Sequence, residues 1–548
     1  VIRLNKPLIF RGFRGSVVTM RDGSAIHLDF FMPADFFAFF GYDCGMKFSR
    51  IILLVSLFVS GFVIMGMELL GFRLMAVYFG YSNYVQGSQI GVVMLALALG
   101  YWIGGRWADR RPDPAILYKA MIGAAAWFWI MAPLYPRMLE QFQMFPIITG
   151  TLLSSCILMV PPMILLSMAG PFVIRILAHQ DDVGSTAGRI YALSTLGSLL
   201  GTFLTPFWAI PTMGARLTYA VLAILIAIPP AVGLFHVRMR KALLALPIAA
   251  ALLLPHPPPG PDVVANYESA YSDIQILQGR GGYQMAIGIW LASFAVDEGV
   301  LAPGMYYDYF GALPVVADPE EILILGMGGG TTARQYLEAF PRAHIDAVEI
   351  DPMVVELAGQ YFHVKESPRL TIHTQDARPF LARTSKTWDV IQVDLFQHGP
   401  HVPFYTVTRE FFRSVREHLE PEGMMIMNIL APLGDRTLLD PILATMAEEF
   451  PSIYGIPREH NMLVAAFPQE RSLPDILRTL EERTPPLFAR VAADIKRMIR
   501  PVSAPPETMT FTDDYAPVER LQHALLSSFR GKMNVYEKYI ERGLNSSY

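Results

Sequence analysis

Apolar and polar positions divide the chain into two halves. Up to residue 235 the apolar positions form six long blocks, near 51–70, 85–104, 115–135, 147–170, 189–210 and 217–235. As a helix, each block is long enough to cross the roughly 30 Å apolar core of a bilayer. The loops between them differ in basic content. Lys47 and Arg50 precede the first block, Arg106, Arg110 and Arg111 follow the second, Arg175 and Arg189 flank the loop after the fourth, and Arg238, Arg240 and Lys241 follow the sixth. The intervening loops hold Arg73, Arg137 and Arg216, one each. Basic loops stay on the cytoplasmic side, so the N-terminal flank and the exits of the even-numbered blocks are expected there. A seventh run, Ala242 to Leu254, is short for a span and ends in HPPPGPD. If it lies in the interface, the C-terminal half is cytoplasmic; if it crosses, that half faces outward.

Beyond that linker the pattern changes. SDIQIL and AIGIWLASFAV alternate apolar and polar positions, with glycines at 279, 281 and 282 between them, which predicts a small antiparallel sheet over about Asn266 to Val300. Short apolar strands then alternate with helical segments. Strands are expected at Ile322–Leu325, Ile345–Val348, Leu370–His373, Trp388–Val393 and Met424–Ile429. Helices are expected up to about Phe340, from Met353 to about Phe362 and from about Thr408 to Leu419. This alternation predicts a doubly wound, Rossmann-like α/β sheet. At its centre is ILILGMGGGTTARQYLEAFPRAHIDAVEID, residues 322–351. A buried strand runs into a side-chain-free turn (Gly326, Gly328, Gly329, Gly330), then a helix opened by Thr331 or Thr332, then a strand ending at Glu349. Glycines let a ligand approach the backbone, and an acid at the tip of the second strand suits a ribose diol. A dinucleotide fingerprint would place Gly where Thr331 stands, so the unit reads as a nucleotide or S-adenosyl site. Three acids fall at successive strand tips: Glu349 for the ribose hydroxyls, Asp376 for the adenine amino group, and Asp394 for the reacting end.

Composition fits two unlike halves. Of 548 residues, 53% are hydrophobic and only 17% charged, too apolar for a soluble chain of this size. The formal net charge of −4 and the lack of a basic run argue against nucleic-acid binding. Cys44 and Cys156 form no disulfide framework, and no Cys/His spacing suggests a metal. The expected organisation is a leader or interfacial arm over 1–45, a transmembrane domain over 46–255 with six spans and a seventh left open, a linker and small β-sheet over 256–300, a nucleoside-binding domain over 301–470, and a helical tail over 471–548. TDDYAPVE (Thr512 to Glu519) is expected to close over the sheet edge and bring Asp513 or Asp514 to the cleft. Arg520 to Tyr548 reads as packing on the membrane side or as an oligomer contact, here a homodimer.

ESAYSDIQIL, YYDYFGALPV, ILILGMGGG, VEID, QDARPFL, WDVIQVD, FYT and PEG succeed one another over roughly 266–467. In this order they resemble the spermidine synthase family of aminopropyltransferases, and the membrane half resembles its membrane-fused bacterial branch. The resemblance implies decarboxylated S-adenosylmethionine as co-substrate, a polyamine or other amine acceptor, no metal, and an inner-membrane location. The supply of adenosyl ligands favours a cytoplasmic soluble half. It also implies a donor site built from Gly326, Gly328, Gly330, Thr331, Glu349, Asp376 and Ala377, with Asp394, Asp308 and Tyr306 at the chemistry and Tyr271, Gln397 and Tyr405 around the acceptor. Four positions depart from the family pattern. Thr331 stands where an Asp holds the donor's ammonium, and Gln397 where a second acid deprotonates the acceptor. Ser272 replaces a Gln, and Tyr307 a His. An amide cannot serve as a general base. Three readings remain: an aminopropyltransferase-like enzyme, an S-adenosylmethionine methyltransferase on the same sheet, and a non-catalytic sensor or transport protein with a nucleoside pocket.

Overall fold

The computed structural model describes residues 44–530 apart from 81, 179–182, 237–262, 270, 280–281, 289, 297–300, 302–304 and 398–400. Residues 1–43 of the expected leader, the seventh apolar run and the HPPPGPD linker lie outside the described residues. The first half is helical: α1 Cys44–Phe79, α2 Asn83–Arg110, α3 Pro114–Met131, α4 Tyr135–Phe142, α5 Ile147–Ser167, α6 Ala169–Leu177, α7 Val183–Leu204 and α8 Ile210–His236. Five of the described helices are long and apolar enough to cross a membrane, by length and composition, rather than six. The difference lies at Val183–Leu234, which runs as one element through two apolar blocks. Gly214 breaks it with φ +77, and Thr205 and Leu222, on either side of the break, both lie against Gly66 of α1. Small residues set the helix packing. A Cβ on Gly197 or Gly201 would strike the backbone of Phe58 or Phe62, so these glycines bring α7 against α1.

The second half contains two sheets. Strands β1 Val263–Glu268, β2 Asp273–Gly279, β3 Gly282–Ile287 and β4 Trp290–Val296 form an antiparallel sheet in sequence order. The larger sheet has eight strands: β5 Glu321–Leu325, β6 His344–Glu349, β7 Leu370–Thr374, β8 Trp388–Val393, β9 Leu419–Leu430, β10 Ser452–Pro457, β11 Asn461–Phe467 and β12 Arg500–Pro501. Their order is β12-β10-β11-β9-β8-β5-β6-β7. From β9 to β7 neighbouring strands are parallel; β11, β10 and β12 extend the sheet antiparallel. The apolar run of β5 is explained by burial on both faces: Ile322 and Ile324 join one core, Leu323 and Leu325 the other. The small sheet contributes Ile274, Ile276 and Met285 to the first of these cores.

Helices α9 Tyr307–Ala312, α10 Thr331–Ala339, α11 Pro352–Tyr361, α12 Ala377–Arg383 and α13 Arg409–Glu417 cover the sheet. Acids at strand tips also start helices. Asp351 accepts from Met353 N and Asp376 from Arg378 N, each stabilising its helix by about 1 kcal/mol. The parallel order reverses between β8 and β5, and ligands of such sheets bind in the crevice at that switch point.

Candidate active site

Gly326 leaves β5 at φ +87, where an added Cβ would overlap the carbonyl of Asp394 at the tip of β8. A side chain is excluded on both counts, conformational and steric. The turn is tied from two sides: Gly328 N donates to Glu349 Oε2 at 2.9 Å and Gly329 N to Ser293 Oγ at 2.7 Å. Gly330 takes φ +75 and starts α10 without a side-chain cap, and the first-turn N–H groups of such a start suit an anionic or polar ligand. Thr331 and Thr332 are buried at this helix start.

Glu349 is the last residue of β6 and is buried. Its Oε2 takes the Gly328 N–H and its Oε1 the Asp351 N–H at 3.1 Å. Each oxygen keeps acceptor capacity for a ribose hydroxyl. Burial raises its carboxyl above the usual range, against the lowering effect of those backbone donors. Asp376 follows β7. Its Oδ2 accepts from Tyr405 Oη at 3.3 Å, and the same phenol accepts from Gln397 Nε2 at 3.2 Å. Tyr405 thus links the acid expected to face adenine with the amide expected to face the acceptor. Burial, followed by the Asp376 charge, pushes the Tyr405 phenol up to about 12. Ala377, buried, opens α12 beside Asp376.

Asp394 stands at the switch point. Asn428 Nδ2 donates to its Oδ1 at 3.0 Å and Tyr306 Oη to its Oδ2 at 3.2 Å. Asn428 is itself oriented by Asn461 Nδ2, which donates to Asn428 Oδ1 at 2.7 Å. Burial pushes Asp394 up to about 6, and the two donors hold it down. Burial and the nearby Asp394 charge raise the Tyr306 phenol well above its ordinary value, so it donates a proton in a hydrogen bond without ionising. The structure therefore brings together Gly326, Gly328, Gly330, Glu349 and Asp394, with Tyr306 on Asp394. Asp308 points elsewhere: it accepts from Gln335 Nε2 on α10 at 2.8 Å. Residues two apart on a helix point about 200° apart, so Tyr306 and Asp308 face different neighbours, and Asp308 braces the helix behind the glycine turn. Tyr271 lies between β1 and β2 and is 39% exposed.

Several residues escaped the motif reading. Asn428 and Gln392 are polar residues buried among the apolar residues of β9 and β8. A buried amide needs partners, and that was the available signal. Gln392 accepts from Tyr336 Oη at 2.7 Å and donates to Thr332 Oγ1 at 3.2 Å, fixing the start of α10. Asp513, from the TDDYAPVE segment, pairs with Arg378 next to Asp376, and Arg378 Nη1 also donates to Tyr405 O at 3.1 Å.

The glycine turn, the buried acid at the tip of β6 and the hydrogen-bonded carboxylate at the tip of β8 lie along one edge of a doubly wound α/β domain. Residues 305–457 match the spermine/spermidine synthase domain, so the chain carries that domain behind an apolar helical region. A probable polyamine aminopropyl transferase of Bifidobacterium longum is 35% identical over 249 residues, which cover 42% of this chain and 55% of that protein. The chain thus spans about half the length of that relative. The human eEF1A lysine and N-terminal methyltransferase is 32% identical over 178 residues, 29% of this chain and 25% of that protein. The crystal structure of a probable spermidine synthase from Corynebacterium glutamicum aligns over 46% of this chain and 98% of its own, with 21% identity and a TM-score of 0.37.

Proposed function

We propose that the soluble half is an aminopropyltransferase-like enzyme, carried by a membrane-spanning helical half, that uses decarboxylated S-adenosylmethionine and an amine acceptor of the polyamine class. The observation that carries this reading is Asp394, raised to about 6 and held between Tyr306 and Asn428 beside the glycine turn. In the reaction, the acceptor nitrogen attacks the methylene carbon bonded to the donor's sulfonium. A C–N bond forms, the C–S pair returns to sulfur, methylthioadenosine leaves as a neutral thioether, and the nitrogen passes a proton to Asp394. Glu349 holds the ribose, while Asp376 and Ala377 border the adenine. Positioning supplies much of the rate, and Asp394 supplies the base. Gln397 adds a hydrogen bond through Tyr405 and no charge. Calorimetry of the detergent-solubilised protein with S-adenosylmethionine and with its decarboxylated form, then with putrescine and an assay for methylthioadenosine, tests the proposal. Tighter binding of the decarboxylated form and release of methylthioadenosine are expected. Binding without turnover would leave a sensor.

The pH profile carries a second expectation. A base must be deprotonated in the free enzyme, so kcat/KM should rise with pH through a limb near about 6. Tyr306→Phe and Asn428→Ala each remove a donor to the carboxylate. Each should move the limb to higher pH, because hydrogen bonds to the charged form lower the pKa. A limb that stays put in both variants would belong to another group.

The uncapped start of α10 and the neutral Thr331 favour one alternative. First-turn N–H groups suit the carboxylate of intact S-adenosylmethionine, which a methyltransferase would use. Release of S-adenosylhomocysteine in place of methylthioadenosine would select that reading.

A further inference from the structure

The two ends of the helical bundle are chemically different, and the soluble half is joined to one of them. Helices α2 and the α5–α6 pair run side by side in the same direction: Ser88 Oγ meets Thr151 Oγ1 at 2.9 Å near their starts, and Asp109 pairs with Arg175 at 3.3 Å near their ends. Helix α1 runs alongside α7, with Gly197 on Phe58 and Gly201 on Phe62. Helix α8 runs opposite to α3: Tyr219 Oη donates to Phe128 O at 2.9 Å, and Gly233 lies on Tyr118. These pairings gather the start of α3, the ends of α2, α6 and α8, and the start of α7 at one end. Among the described residues, that end holds Arg106, Arg110, Arg111, Arg175 and Arg189. The other end holds Phe79, Phe145 and the Gly214 break, with Arg73, Arg137 and Arg216.

The soluble half docks on this second, less basic end. Arg73 Nη2 donates to Ser269 O at 2.6 Å, and Ser269 Oγ donates to Asp351 Oδ2 at 2.5 Å. Ala215 N donates to the Glu268 carboxylate. His523 Nε2 lies 3.0 Å from Phe145 O, and its ring stacks on Phe79. His401, whose carbonyl accepts from Gln397 N at 2.7 Å, packs on Gly80, where an added Cβ would come within 3.1 Å of its Nδ1. His236 therefore ends at the basic end, while Val263 begins a strand that reaches the opposite one.

We infer that the nucleoside-binding half works on the non-cytoplasmic face of the membrane, and that the nucleoside and amine it takes are those that reach that face. Basic ends remain cytoplasmic, and the docking contacts put the site at the other end. The supply of adenosyl ligands alone favours the opposite face, and the contacts outweigh it because they fix position directly. A nucleoside donor made in the cytoplasm then has to be exported before it can react here. The inference rests on reading the helical half as membrane-spanning and is independent of the reaction catalysed.

Single cysteines placed in a Cys44→Ser, Cys156→Ser background test it. Leu433→Cys lies on the soluble half, where Leu433 is 67% exposed. Asp109→Cys lies at the basic end, where the Asp109 side chain is 74% exposed. In sealed right-side-out membrane vesicles, a membrane-impermeant maleimide should label Leu433→Cys fully and Asp109→Cys only after permeabilisation. The reverse pattern overturns the inference. Labelling of both in sealed vesicles overturns the membrane-spanning reading beneath it, and neither result bears on transfer chemistry.

Discussion

Asp394→Asn lowers turnover by about 10²- to 10⁴-fold, the usual contribution of a positioned general base, and leaves donor binding intact. The substitution is isosteric, and Asn keeps an oxygen for one of the two donors, Asn428 or Tyr306. Tyr306 can turn its hydroxyl to accept from the new amide, so the fold around the tip of β8 stays satisfied. What disappears is the acceptor for the amine proton. Single-turnover measurement of methylthioadenosine beside calorimetry of the decarboxylated donor separates the two effects. Turnover close to that of the parent would move the base to another group. Asp308 would then be a poor replacement, because its carboxylate is engaged by Gln335 on the far side of its helix.

The second large effect is expected in binding. Glu349→Ala removes the acceptor for the Gly328 and Asp351 N–H groups and for both ribose hydroxyls. Hydrogen bonds to a charged group contribute about 1.5–3 kcal/mol each. Losing two to the ribose weakens the donor by on the order of 10²- to 10⁴-fold. Turnover at saturating donor should fall much less, since the carboxylate is remote from the reacting carbon. Glu349→Gln, which keeps one acceptor oxygen, should fall between the two. Calorimetry of all three proteins checks this, and an unchanged affinity in the alanine variant would place the ribose elsewhere.

Much of this site was legible because its chemistry follows strand ends. The run Ile322–Leu325, the glycines after it and the acids Glu349 and Asp394 are local signals, and β-α-β geometry carries each to one edge of the sheet. The apolar blocks were equally plain, although the last two run on as one helical element interrupted at Gly214. Spacing could not tell that Asp308 points away from Tyr306, because direction on a six-residue helix depends on where the helix starts. Nor could it pair Asn428 with Asp394 across two strands, or Asn461 with Asn428. Such contacts join residues more than thirty positions apart, and no local pattern encodes them. The end of the bundle on which the soluble half sits was hidden for the same reason. Loop charges assign a side to each end, and only three-dimensional contacts such as Arg73 with Ser269 choose between them.

The partners of Asp394 have one more consequence. Both groups that bond to it, an amide and a phenol, are uncharged. Dissolved salt weakens attraction between charges and leaves dipoles nearly untouched. The proton affinity of this carboxylate should therefore be almost independent of ionic strength. A polycationic acceptor drawn in by long-range attraction should still be lost as salt rises. Salt thus becomes a means of weakening capture of the acceptor while leaving the proton-accepting group unaltered.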